Sequence, residues 1–431
     1  MFLWRLPTTW VHQYIDAKLL RLTSLYIAFI FASWLFLELV FPYAFPKDYA
    51  QLMDLTKAIR GDDSVPPSSV NEIFENEDQH IDVTKQRDTL GQRLKISWHR
   101  PGERFQYHGY DPNSGKTYLN RFFWNSQGYF DHDRAFVKPP HTKRIVVIGD
   151  SYVEAVQVPL SKTFHKQMEA FLNDNRGSIT DATFQVIALG NSGTGQSTNL
   201  NMLKQDGLAY QPDLVIFTLC SNDFCDDDPA LKRQLILSAG EFGPHARGLV
   251  RHGLMAAVLV VRRVETMRRS RVAISPELLQ WSAENFPVVE KAWERTLDYV
   301  RQAKIICDRA GIAFLLTYLG AEIEVNYAVE PAKTLTALRG MGNIHASTPW
   351  DMGRSAKRVQ HYCTEHSIEF ISLLGPLIRT QEQTKKRVFG DHYTILGHEI
   401  VSRVLGCAAL KCLVRYPPQA LDECVEEDQR P

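Results

Sequence analysis

The chain has 431 residues, of which 44% are hydrophobic and 23% charged, enough to bury one large core or two ordinary ones. Lys plus Arg equals Asp plus Glu at 49 each, so the excess positive charge of a general nucleic-acid binder is missing. The sequence holds no Walker loop, no Gly-x-Gly-x-x-Gly after a strand, no His-Glu-x-x-His and no internal repeat.

Residues 1–21 form an N-terminal tail. The stretch "LTSLYIAFIFASWLFLELVFPYAF", residues 22–45, then carries a single charge, Glu38. An apolar helix of about 20 residues crosses a bilayer core, and Trp34, Phe41, Tyr43 and Phe45 suit its interface. The length of the run and of the tail before it separate this segment from a cleaved signal peptide. It is expected to be a single-pass transmembrane helix. Arg5, Lys18 and Arg21 lie on average closer to it than Lys47, Lys57 and Arg60 do, which favours an inside amino terminus. The large domain is then expected on the extracytoplasmic, periplasmic side.

Residues 46–142 read as a linker and a small lead-in. Positions 61–90 are polar and acidic with paired prolines. From about Leu94 to Phe136, short aromatic runs alternate with Gly, Pro and Asn. Two readings stay open for that stretch: a β-rich region of its own, or a structured entry to the main domain.

The pattern changes at residue 143. "RIVVIG", "FQVIALG", "DLVIFTL", "IAFLLTYL" and "IEFISL" are short β-rich runs of the kind that are buried on both faces. Helical stretches separate them, among them "SKTFHKQMEAFLNDN" and "PVVEKAWERTLDYVRQAKIICDRAG". Alternation of strand and helix predicts a doubly wound, flavodoxin-like parallel sheet of five strands with helices on both faces, spanning 143–412. Residues 413–431 are a C-terminal tail. Between the third and fourth strands, Arg247, Arg251, Arg262, Arg263, Arg268, Arg269 and Arg271 surround "GLMAAVLVV". This fits a basic amphipathic helix, seated either on the domain or on anionic headgroups.

The seven cysteines form no Cys-x-x-Cys pair. Most sit in apolar surroundings and read as buried thiols, with a disulfide among the late ones as the alternative. They do not fix the redox compartment.

In a doubly wound sheet, ligands bind outside the carboxyl ends of the strands. Ser151, the loop Gly190–Gly195 and the loop Ser221–Asp223 follow strands one, two and three directly. "GDS" alone also fits a strand followed by a helix cap. Asn222-Asp223 alone also fits a cap, and Gly193 an ordinary turn. Together they offer a nucleophile and donors for an oxyanion, with His392 near the end as the base.

These blocks in order, "VVIGDSYVEAVQV", "ALGNSGTGQ", "LCSNDF" and "GDHYTILGHE", resemble the SGNH hydrolases, also called the GDSL lipase/esterase superfamily. The lead-in "NSQGYFDHDRAFVKPPHTKRIVVIGDS" is similar to membrane-anchored bacterial members. The resemblance implies Ser151 as nucleophile, His392 as base, and an oxyanion hole of Ser151 N–H, Gly193 N–H and Asn222. It implies a serine esterase that removes O-acyl groups, such as acetyl, from a cell-envelope or extracellular carbohydrate or another ester. It implies no metal or organic cofactor. An O-acyltransferase using the same serine, or a non-catalytic envelope scaffold, are the other readings.

Two departures stand out. The family often places an Asp two or three residues before the histidine, whereas Asp391 is adjacent to His392. Neighbouring side chains of extended backbone point to opposite faces, so Asp391 reaches the ring only if the loop turns there. A backbone carbonyl is the alternative partner. Ser221 also stands where the family often has glycine.

Overall fold

The computed structural model describes residues 99–175, 180–232, 276–340, 349–390 and 392–413, together with strand Glu72–Glu75 and the positions Tyr26, Phe29, Ala32, Ser33 and Phe36. By contacts the chain divides into residues 1–64 with 242–269, and residues 65–241 with 270–431. Nearly all described residues fall in the second unit. Apart from the strand and five positions just named, the expected transmembrane segment 22–45, the linker and the arginine-rich stretch 247–271 lie outside the described residues. So does the C-terminal tail from residue 414. Among the described residues, no helix is long and apolar enough to cross a membrane.

β1 (Glu72–Glu75) comes from the polar stretch 61–90, and the aromatic stretch before the main domain forms β2 (Arg104–Asp111) and β3 (Lys116–Phe123), in the order β1-β3-β2. β2 and β3 are an antiparallel hairpin. Phe122, Trp124 and Phe130 cluster with Val156 and Leu160 of the main domain. Arg144, in the first strand of that domain, is buried and donates to the carbonyls of Ala135, Phe136, Val137 and Tyr210 and to Gln185 Oε1. A buried guanidinium is tolerated because its donors are met this fully. The aromatic stretch thus takes part in a small three-stranded sheet and also packs on the main domain.

The five β-rich runs are β4 (Thr142–Gly149), β5 (Thr183–Gly190), β6 (Leu214–Leu219), β7 (Ala313–Tyr318) and β8 (Glu369–Ser372). They form one parallel sheet in the order β5-β4-β6-β7-β8. The helices are α1 (Ser151–Glu154), α2 (Phe164–Asp174), α3 (Gln196–Gln205), α4 (Asp223–Asp226), α5 (Pro276–Leu279) and α6 (Pro287–Arg309). Then come α7 (Glu322–Val329), α8 (Pro331–Gly340), α9 (Arg354–Glu365), α10 (Leu374–Thr384) and α11 (Ile395–Leu413).

Successive strand residues point to opposite faces, and both faces are covered. Val146, Ile148, Val215 and Phe217 pack with Leu200 and Leu203 of α3 and Trp293 and Val300 of α6. Ile145, Val147, Val186 and Ile216 pack with Phe164 and Met168 of α2 and Val401 and Leu405 of α11. The chain leaves β4 for β5 on one side and later crosses to β6 on the other. The switch point therefore lies at the carboxyl end of β4.

Two histidines are buried on the second face. His398 Nδ1 accepts from Phe164 N at 3.2 Å, and His165 Nδ1 lies 3.3 Å from Thr163 Oγ1. Burial, with a lesser contribution from nearby His392, pushes His398 down to about 3; burial and then Lys166 hold His165 well below its ordinary value of 6.5. The unfolded chain binds these protons near pH 6.5 and the folded chain does not. Their stabilising contribution is thus complete above that pH and is lost as pH falls toward the folded values. His398→Asn keeps an acceptor for the Phe164 N–H. Urea unfolding between about pH 7 and pH 5 is expected to show wild-type stability falling relative to this variant by up to about 1.4 kcal/mol per pH unit. Parallel pH profiles would remove the role of His398.

Candidate active site

β4 ends in Gly149, and Asp150 caps α1 by accepting from Tyr152 N at 3.1 Å through Oδ1. The cap role that the sequence allowed for Ser151 thus belongs to Asp150. Ser151 becomes the first residue of α1. Its hydroxyl lies 2.7 Å from His392 Nε2 and 3.5 Å from Asp150 Oδ2. The first is a hydrogen bond and the second is too long to compete. The imidazole is the group placed to take the hydroxyl proton.

His392 sits on a tight loop between α10 and α11. Gly390 N donates to His392 O at 2.7 Å, and Thr394 N to Val388 O at 3.0 Å. A Cβ on Gly397 would sit 2.3 Å from Val388 O, so glycine there lets the first turn of α11 close against the loop. The Tyr152 ring packs on the imidazole at 4.8 Å and on Tyr393 at 4.9 Å, and the Tyr393 hydroxyl donates to Leu319 O. Burial holds both phenols well above their ordinary range, so they stay neutral. Asp391 lies outside the described residues.

The loop after β5 carries Gly193 at φ +69°, a left-handed conformation that favours glycine. Nothing lies within 4 Å of where its Cβ would be, so a ligand can approach this backbone. The loop after β6 places Asn222 at the N-cap of α4, but its side chain makes no cap bond. Instead Nδ2 donates to Asp226 Oδ2 at 2.7 Å, and Oδ1 lies 2.9 Å from Cys220 Sγ. A primary amide has two N–H groups, and one suffices for Asp226. Ser221 Oγ donates to Glu277 Oε1 of α5 at 2.8 Å, a use for a side chain that glycine lacks. The structure brings Ser151 and His392 into contact. It sets Gly193 and Asn222 on the loops after the two strands that flank β4.

Beneath the site lies a polar network that sequence reasoning missed. Cys220 Sγ is 2.9 Å from Asp150 Oδ2, and Asp223 Oδ2 accepts from Cys220 N at 2.8 Å and Gln196 Nε2 at 2.6 Å. Atoms of Asp150, Cys220 and Asp223 that could ligate a metal lie within 4.8 Å of one another. Burial pushes all three groups up, and the neighbouring Asp150 raises Asp223 further. Two buried carboxyls this close ionise together only at high cost. A protonated thiol beside carboxyls that already accept hydrogen bonds suits a network better than a cation. Asp150, Cys220 and Asp223 all lie in the recognisable blocks, but local sequence does not show that their side chains meet.

No family model and no curated protein matches the chain. Its structure is similar to an α/β hydrolase from the metagenome of Lake Arreo, at 15% identity over 64% of this chain and 98% of that one, with a TM-score of 0.35. It is similar to a GDSL-like lipase from Bacteroides thetaiotaomicron, at 14% identity over 64% and 92% of the two chains, with a TM-score of 0.32. It is also similar to a catalytic mutant of an acetylxylan esterase from Geobacillus stearothermophilus, at 12% identity over 63% and 94%, with a TM-score of 0.35. At such distances, what the site does is read from its own residues.

If Asn222 donates to a developing oxyanion, Asn222→Ala is expected to lower kcat on an acetyl ester by about 10²–10³. A raised KM with intact kcat would instead make Asn222 a substrate-positioning group. His392→Ala is expected to be nearly inactive and Asp391→Ala milder. Equal losses in folded proteins would make Asp391 the imidazole's orienting partner.

Proposed function

We propose that the protein is a serine esterase of the SGNH type, acting through an acyl-enzyme on Ser151. The observation that carries this reading is the 2.7 Å contact between Ser151 Oγ and His392 Nε2 at the carboxyl end of β4. Nucleophile and base in hydrogen-bond reach, beside two loops that supply oxyanion donors, are the parts acyl transfer requires.

The steps follow from this placement. Ser151 Oγ attacks the ester carbonyl carbon while its proton passes to His392 Nε2. The carbonyl oxygen takes the electron pair and is met by the N–H groups of Ser151 and Gly193 and by Asn222 Nδ2. Collapse breaks the bond to the alcohol oxygen, which leaves with the proton from His392. Water then attacks the acyl-enzyme, gives a proton to His392, and the second collapse returns that proton to Ser151.

We place the ester on an O-acylated, chiefly O-acetylated, carbohydrate of the cell envelope or its surroundings. The transmembrane reading of residues 22–45 supports this location. Tyr26, Phe29 and Phe36 are helical there and expose their rings.

A fluorophosphonate probe and a small acetyl ester test the reading together. The wild-type protein is expected to take the probe and turn the ester over. Ser151→Ala is expected to lose labelling and several orders of magnitude in kcat, with its thermal midpoint retained. Unchanged turnover by Ser151→Ala would overturn the mechanism.

A further inference from the structure

An oxyanion hole works only if its donors are already aimed when charge develops, and here they come from two separate loops. Gly193 lies on an exposed, left-handed turn after β5, and Asn222 follows β6. Neither loop aims its donor by regular hydrogen bonding alone. Something has to hold them in mutual register.

In addition to the Gln196–Asp223 bond between the two segments, Lys232 links both sides. Its Nζ donates to Gly193 O at 2.6 Å and pairs with Asp226 Oδ1 at 3.3 Å. The other oxygen of Asp226 accepts from Asn222 Nδ2 at 2.7 Å. A continuous chain of bonds thus runs from the Gly193 carbonyl through Lys232 and Asp226 to the Asn222 amide. The lysine is itself anchored. Its N–H donates to Asp228 O at 2.8 Å, Leu231 beside it is buried in the core, and Asp228 pairs with Arg295 of α6 at 3.1 Å.

The peptide that carries the Gly193 N–H is also held from its other flank. Ser192 Oγ donates to Glu154 Oε2, a buried carboxylate in the last turn of α1. Glu154 Oε1 lies 2.6 Å from His99 Nε2, and the His99 ring stacks on Trp124 at 3.6 Å. Residue 192 is therefore fixed through its side chain and residue 193 through its carbonyl. The peptide plane between them has little freedom left to rotate.

We propose that Lys232, with Asp226 and Glu154, is a positioning residue that locks the two oxyanion donors, Gly193 N–H and Asn222 Nδ2, into one preorganised unit. This rests on the esterase reading. None of the three touches the reacting atoms. Lys232 offers a long, partly exposed side chain, so its charge can be removed without opening the core. Charge-assisted bonds at both ends make this link stiffer than a neutral contact of the same length.

Kinetics on an acetyl ester test this with Lys232→Met, Lys232→Arg and Ser192→Ala in the full chain. Lys232→Met is expected to lower kcat by about 10-fold to 100-fold with KM within about twofold, since only transition-state donors are disturbed. Lys232→Arg is expected to recover most of that loss, because a guanidinium spans carbonyl and carboxylate alike. Ser192→Ala is expected to give the same kcat-weighted loss, and thermal midpoints are expected to stay near wild type. On an Asn222→Ala background the Lys232→Met effect is expected to shrink, because the donor it aims is gone. An active wild type, with Ser151→Ala inactive and Lys232→Met at full kcat, would overturn the lock while leaving the esterase reading intact. Effects of Lys232→Met and Asn222→Ala that simply add would overturn it too. A wild-type protein that neither turns over ester nor takes the fluorophosphonate removes both readings together.

Discussion

Strand β4 is hydrogen-bonded along both edges, to β5 and to β6, and the site hangs from its carboxyl end. Parallel pairing aligns the ends of neighbouring strands, so Gly149 lies opposite Gly190, and Ile148 opposite Phe217. Three loops are thereby delivered to one rim. Had β4 stood at an edge, one of the two donor loops would have lost its neighbour. The core packed on both faces holds that register, because a slip by one residue would turn each strand's side chains to the wrong layer. Position at the site is thus inherited from burial far below it.

The same rim concentrates groups that a stable fold would avoid. Asp150, Cys220 and Asp223 are buried together, with Asp226, Asp227 and Glu277 close by, and burial pushes Asp226 and Glu277 up as well. Each carboxyl is met by a donor: Tyr152 N, Gln196, Asn222, Ser221, Thr296. These donors tie together the loops they join, while Asp223 Oδ1 and Gln196 Oε1 stay buried without a hydrogen-bond partner among the described residues. Local violation of ordinary core chemistry at a functional rim is the expected pattern.

The β-rich entry belongs to this arrangement on both flanks of the site. Asn113, at the tip of the β2–β3 hairpin, donates to Arg387 O at 2.9 Å and accepts from Arg387 N at 2.7 Å, close to the loop that bears His392. His99 reaches Glu154 on the opposite flank. The β-rich entry therefore braces the His392 loop on one side and, through Glu154 and Ser192, the Gly193 loop on the other. Its aromatic composition follows from that duty, since Trp124 and Phe122 supply the surface on which it docks.

Local chemistry alone determined a great deal. Five short runs of Val, Ile, Leu and Phe with helices between them could become only a buried parallel sheet, and the "GDS" turn marked where its first strand ends. Ser151, Gly193, Asn222 and His392 were legible because strand ends and a late histidine loop carry short-range signals. What they touch was not legible. The contact of Ser151 with His392 spans 241 positions, and nothing within either segment encodes it. Asp150 rather than Ser151 caps α1, because only the fold decides which of two adjacent oxygens faces the first amides. Lys232 carried no signal at all: a lone lysine in a helical stretch is generic in sequence. It gains meaning only because the sheet brings Gly193 O within 2.6 Å of its ammonium group. Side chains that act through their own backbone neighbourhood are written in the local sequence. Those that act across the rim exist as partners only once the strands have paired.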